Sequence, residues 1–204
     1  IELLQLLIII LIIMNKIILA SNNPNKLIEF RSIFTNHRII SLSELGFYKD
    51  IPETGSTLEE NALIKVREIF KVTSSTCISD DTGIEVCALN GAPGAFSARY
   101  AGEPSNAKEN IKKLLNELKN IGNRGARFRT VVAYKDSNQE LLFEGIVQGS
   151  ITLEPKGVSG FGYDPIFKPN NHQLTFAEMP IDVKNGISHR SNAIKKLKAH
   201  FLSK

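Results

Sequence analysis

A chain of 204 residues, 42% hydrophobic and 23% charged, carries enough apolar material for a buried core and too little charge to stay disordered. Its net charge of +4, from 25 basic and 21 acidic side chains, suits a small polyanionic ligand and is too weak to demand nucleic acid. The 2 cysteines, Cys77 and Cys87, lack clustered histidines, which excludes a cysteine-histidine zinc site and makes a reducing, cytoplasmic setting the default.

Residues 1–13 (IELLQLLIIILII) are almost wholly apolar, yet shorter than the roughly 20 residues of a spanning helix, and they lack the basic region and cleavage motif of a signal peptide. Met14 therefore reads as the natural start. On that reading residues 1–13 are an apolar leader outside the native protein, and residues 14–204 fit one ordinary domain or two closely packed lobes, with no membrane contact. An N-terminal membrane anchor is the competing reading.

From Ile17 to Ala20 a β-branched run predicts a strand. The polar residues Ser21, Asn22 and Asn23 follow, and then a helix with Leu27, Phe30, Ile33 and Phe34 on one side; Asn23 is placed to cap it, with Pro24 at the first position, where its missing N–H costs nothing. A second helix opens at Thr57 with Glu60 three residues on, a capping box, and carries Leu58, Ala62, Val66, Ile69 and Phe70 on one face to about Val72. Short strands are expected at 76–79 and 84–88, separated by Asp80, Asp81, Thr82 and Gly83. A third helix opens at Ser105 or Asn106. Two longer strands, 127–134 and 141–153, read as an antiparallel hairpin, and a Lys-rich amphipathic helix spans 191–202. Early alternation of strands and helices around a central hairpin predicts an α/β protein with a mixed sheet.

Four segments carry polar chemistry. A helix N-terminus next to Ser21, Asn22, Asn23 and Lys26 favours an anion through backbone amides, the helix dipole and a lysine, although most Asn-Pro starts merely cap a helix. Asp80 and Asp81 leave a strand on opposite sides, so one of them faces a site and the other does not; Glu53, in the loop Pro52–Gly55, supplies another carboxylate. Mg²⁺ needs few protein carboxylates, because waters and substrate phosphates complete its shell. The run Ser159–Pro165 joins glycines that admit a ligand to an aromatic ring that can stack on a base. Lys184, with Ser188, His189 and Arg190, groups cations and donors before the last helix. Each segment alone also reads as an ordinary cap, turn, bend or exposed face. No Walker A or Rossmann spacing is present.

Taken in order, LASNNPNKLIEF, PETGSTLEENA, ISDDTGIEV, GAPGAFSARYAG, GFGYDPIF, TFAEM and KNGISHRSNA resemble the inosine triphosphate pyrophosphatase family over nearly all of 14–204. The resemblance implies an elongated two-lobed α/β fold around a long mixed sheet with flanking helices, a cleft between the lobes, and a homodimer. It implies Mg²⁺-dependent hydrolysis of dITP, ITP and XTP to the monophosphate and pyrophosphate. By position, Ser21, Asn22, Asn23, Pro24, Asn25 and Lys26 would hold the triphosphate, and Glu53 and Asp81 the metal, with Asp81 the general base and Thr82 beside it on the substrate. Phe161, Gly162, Tyr163 and Asp164 would form the base and sugar pocket, and Lys184, His189 and Arg190 would read the 6-keto purine. Thr82 departs from the family's frequent Ser but keeps the hydroxyl. The alternatives are a Maf-like pyrophosphatase acting on other bases, against which the absence of its Ser-Pro-Arg-Arg opening speaks, and a nucleotide- or RNA-binding protein without catalysis.

Overall fold

Strand β1 (Lys16–Leu19) shows the rule that organises the whole sheet: Ile17 and Leu19 enter one core cluster, while Ile18 and the following Ala20 enter another on the opposite face. The computed structural model describes residues 16–49 and 51–202, so the apolar leader over residues 1–13 lies outside the described residues. Six strands are ordered β2-β1-β3-β4-β5-β6: β2 (Arg38–Ser41), β3 (Cys77–Val86), β4 (Gly125–Lys135), β5 (Glu140–Ile151) and β6 (Phe167–Pro169). The pairs β1/β2 and β1/β3 are parallel and the others antiparallel, which makes the sheet mixed, as anticipated.

Helix α1 (Pro24–Ile33) starts as the sequence requires, with the Asn23 side chain accepting from the Asn25 and Lys26 amides. In α2 (Leu58–Thr73) Thr57 caps the Glu60 amide at 3.1 Å, while the Glu60 carboxylate reaches past Thr57 to the Ser56 amide at 2.7 Å. Such caps contribute about 1 kcal/mol each. Helix α3 (Ala107–Glu117) is capped by Asn106, and α5 (His189–Leu202) begins two residues earlier than periodicity indicates, with the Ser188 hydroxyl accepting from the Ser191 amide at 3.2 Å. Lys184 sits on a short helix of its own, α4 (Ile181–Ile187).

Helices α1 and α5 cover one face of the β1–β3–β4 sheet around Phe30, Phe34, Ile78, Val132 and Leu197; α2 covers the other around Leu58, Val66, Cys77 and Val131. A third cluster, with Ile84, Val86, Phe128, Leu114, Phe167 and Phe176, packs the far halves of β3 and β4 against α3 and β6.

The expectation of two short strands around Asp80–Gly83 is corrected. Residues 77–86 form one strand, paired in register with β4 from Cys77 opposite Lys135 to Val86 opposite Ala126. Asp-Gly chemistry favours a turn only where the flanking chain is free; here an unbroken ladder outweighs it. Gly83 is instead a close approach, since a Cβ there would lie 2.3 Å from the Gly94 carbonyl oxygen.

Candidate active site

Alternation along β3 sends Asp80 and Asp81 to opposite faces, and two charged groups assemble around them. On the α2 side, Lys65 Nζ lies 2.6 Å from Glu53 Oε1 and 3.1 Å from Asp81 Oδ1, so one ammonium bridges both carboxylates. Asn61 Nδ2 donates to Asp81 Oδ2 at 3.2 Å, and its Oδ1 accepts from the Gly55 amide at 2.8 Å. One buried amide thus ties the Glu53 loop to the strand. Arg99, from the 3-10 turn Gly94–Arg99, donates to the Glu53 carbonyl at 3.1 Å. Burial raises the Asp81 carboxyl and the Glu53 charge raises it further, with Lys65 opposing; at Glu53 burial also raises the carboxyl, but Lys65, Lys26 and Asp81 together hold it low. A carboxylate with raised proton affinity beside one held low is an arrangement suited to accepting a proton at the first.

On the other face Asp80 is 1% exposed. Its Oδ1 lies 3.1 Å from Lys26 Nζ and its Oδ2 accepts from Arg190 Nε at 3.0 Å. Burial alone would raise the Asp80 carboxyl, but Lys26, Arg190 and Lys65 together hold it well below the carboxylate range. Arg190 also bonds Glu29 of α1 and, through Nη2, the Thr82 hydroxyl at 3.2 Å. Lys184 donates to Asp164 Oδ2 at 2.7 Å, an oxygen that also accepts from the Phe161 amide at 2.7 Å, and it lies 3.5 Å from Glu29 Oε1. The Phe161 ring centroid is 5.0 Å from Lys184 Nζ and 5.5 Å from Arg190 Cζ.

His189 stacks on Phe128 with centroids 4.4 Å apart and planes at 15°. Burial, reinforced by Arg190 and Lys184, holds its imidazole far below the ordinary value, so the ring is neutral. Its Nδ1 is buried without a hydrogen-bond partner among the described residues, and the residue lines the cleft. Unpaired buried nitrogens are costly, which points to a ligand atom as the missing partner. Gly145 fixes the placement: a Cβ on it would lie 2.0 Å from the His189 carbonyl oxygen, so the start of α5 rests directly on β5.

Both groups open onto one cleft of about 870 Å³, a volume in the range of small-molecule sites. Every residue to which the resemblance assigns a role lines it: Ser21 to Lys26, Glu53, Asp81 and Thr82, and Phe161 to Asp164 with Lys184, His189 and Arg190. One detail differs from the reading of free backbone amides at α1. The Asn25 and Lys26 amides are taken by the Asn23 side chain at 3.0 and 3.3 Å, and the Asn23 amide by the Ser21 hydroxyl at 3.1 Å, so the positive charge at this end comes from the Lys26 side chain.

Lys65, Asn61, Glu29 and Arg99 escape the sequence reading of the site. Lys65 and Asn61 lie on the apolar side of α2, both buried, and Glu29 lies beside Phe30 on α1, also buried. A charge inside an apolar stripe was the available signal. Of the two aspartates that strand alternation separates, Asp81 lines the cleft, and Asp80 takes its ion partners from helices far off in sequence.

The residues 17–200 match the model of the Ham1 family. A dITP/XTP pyrophosphatase of Porphyromonas gingivalis is 49% identical over 191 residues, covering 93% of this chain and 98% of that protein; another, of Flavobacterium johnsoniae, is 46% identical over 183 residues, covering 89% and 95%. The structure of the Staphylococcus aureus Ham1 protein superposes with a TM-score of 0.85 at 44% identity over 92% of this chain and 98% of that one. The resemblance read from the ordered motifs therefore holds, and the chain belongs to the Ham1 family.

Proposed function

We propose that the chain hydrolyses non-standard purine nucleoside triphosphates, dITP, ITP and XTP, to the nucleoside monophosphate and pyrophosphate. The observation that carries this reading is a single strand, β3, placing a proton-accepting carboxylate beside an ionised one on its first face and a cation network reaching toward a neutral imidazole on its second, both open to one cleft. The relatives' names, dITP/XTP pyrophosphatase, support it.

Glu53 and Asp81 are the residues that would hold Mg²⁺. Their chemistry fits: both carboxylates already share one cation, the Lys65 ammonium. Among the described residues no group of three or more His, Cys, Asp or Glu side chains could hold a metal alone, which suits an ion that draws its remaining oxygens from water and substrate phosphates. When bound, such an ion neutralises phosphate charge as it moves to the leaving group. Asp81 Oδ1 or Oδ2 accepts the proton of the attacking water, with Asn61 holding the carboxylate's orientation. Lys26 turns from Asp80 to the triphosphate and supplies positive charge. Phe161 offers a ring to the purine. The neutral His189 ring, lining the cleft, offers an N–H to a 6-oxygen and meets the adenine amino group donor against donor; a mismatch of that kind can cost orders of magnitude.

Incubation with dITP, XTP, ATP and GTP plus Mg²⁺, with products resolved, tests the reading: pyrophosphate from dITP and XTP far above ATP is expected. Equal orthophosphate release from all four sinks it, and tight binding with no turnover selects a binding protein. Among the described residues no helix is long and apolar enough to cross a membrane. Pairing into a homodimer and a cytoplasmic location rest on the family resemblance, and sedimentation of the purified chain tests the first.

A further inference from the structure

We propose that Asp80 is a positioning residue that couples the two ends of the substrate, so that reading the base and gripping the phosphates are one event. The proposal rests on the function above and concerns how its selectivity arises.

Asp80 holds Lys26, at the triphosphate end, on Oδ1 at 3.1 Å, and Arg190, at the base end, on Oδ2 at 3.0 Å. Its main-chain carbonyl accepts from Lys26 Nζ at 3.2 Å and from Lys65 Nζ at 2.8 Å. Glu29, three residues after Lys26 on the same helix, ties that helix to Arg190 and Lys184, and Lys184 passes the link to Asp164 and the Phe161 amide. A chain of alternating charge therefore runs from the phosphate end to the aromatic platform. Its cations differ in freedom. The Lys26 side chain is 15% exposed, against 3% for Lys184 and 1% for Arg190, so Lys26 is the one able to turn into the cleft.

When Lys26 moves to a phosphate, Asp80 gives up one of its two ion partners and Arg190 becomes its one remaining ion pair, which holds the guanidinium beside Phe161 and the base. By linkage the converse holds: a base that seats Arg190 on Asp80 frees Lys26 for the phosphates, and one that disturbs Arg190 does not. A wrong purine is thus penalised twice.

The test is a double-mutant cycle in kcat/KM for ITP, with Lys26→Gln and Arg190→Lys in the wild-type and Asp80→Asn backgrounds. Their joint effect is expected to depart from the product of the single effects by about tenfold with Asp80 in place, and to become multiplicative without it. A second measurement needs no Asp80 variant that folds: calorimetric binding of inorganic tripolyphosphate, which has no base, is expected to change severalfold in Arg190→Lys. An active wild-type chain with a multiplicative cycle and unchanged tripolyphosphate binding overturns the coupling alone. A wild-type chain that binds tripolyphosphate in an Arg190-dependent way but leaves ITP intact overturns the proposed activity and keeps the coupling.

Discussion

The two faces of β3 at residues 80 and 81 handle charge in opposite ways. On the α1/α5 face Lys26, Lys184 and Arg190 are matched against Glu29, Asp80 and Asp164, with every member except Lys26 at most 5% exposed. On the α2 face the Asp81 and Lys65 side chains are 7% exposed, but Glu53 and Arg99 reach 28% and 25%. The first is the more deeply buried network, in which Asp80, Glu29, Lys184 and Arg190 each pair with two opposite charges; the second is the more exposed one, whose carboxylates share a single ammonium. Sealed charge fixes geometry, because removing one member strands the rest in a poor solvent for ions. Open charge can exchange partners, and exchange is what a site that takes up a cation and a polyphosphate needs.

Substitutions isosteric in shape break this comparison most directly. Asp81→Asn should lower kcat by at least about a thousandfold, within the range of a lost general base and a lost metal carboxylate, with the circular dichroism spectrum and urea midpoint close to wild type. Full activity in that variant would show that the wrong carboxylate has been assigned. Asp80→Asn should do the reverse in kind: lose about 3–5 kcal/mol of stability in urea unfolding, the cost of leaving a buried ion without its partner. Equal stability losses in the two variants would erase the distinction between the faces.

How much of this was legible before folding is visible at the same two residues. Alternation along an extended chain dictates that Asp80 and Asp81 diverge, and the capping residues Asn23, Thr57 and Asn106 announce three helices. The unbroken strand through Asp80–Gly83 was hidden, because its cause is the β4 partner about fifty residues on, and local turn chemistry argued the other way. Strands β2 and β6 and helix α4, with 4, 3 and 7 residues, are too short to carry a period. The site residues could be read as ordered motifs, but their mutual contacts could not: Arg190 meets Asp80 across 110 positions and Glu29 across 161. Only long-range packing brings them together.

His189 sharpens the contrast, since it is a titratable group that the sealed face keeps neutral. The unfolded chain takes up this proton below the ordinary imidazole value of 6.5, whereas the folded chain, with its value pushed far lower, does not. The contribution is therefore fully present above pH 6.5 and is lost as pH falls below it. His189→Phe keeps a ring stacked on Phe128 and removes the proton site. Urea midpoints at pH 7.5 and 5 should differ less in this variant than in wild type, and an unchanged difference would mean that the ring is charged in the fold.

Lys26 belongs to the sealed face by its ion pair and to the open one by its exposure, so the smallest expected effect discriminates best between the two. Lys26→Ala leaves Asp80 Oδ2 with Arg190 Nε at 3.0 Å and the Thr82 hydroxyl at 3.3 Å, but removes the cation beside Oδ1. The urea midpoint should move less than in Asp80→Asn, while KM for ITP rises about tenfold, equivalent to about 1.4 kcal/mol of binding, with kcat nearly unchanged. That pattern marks an interaction made equally in ground and transition states. A fall in kcat as large as the rise in KM would instead place the Lys26 charge on the departing pyrophosphate. A large loss of stability with intact KM would return the lysine to the sealed face, a strut with no hold on substrate.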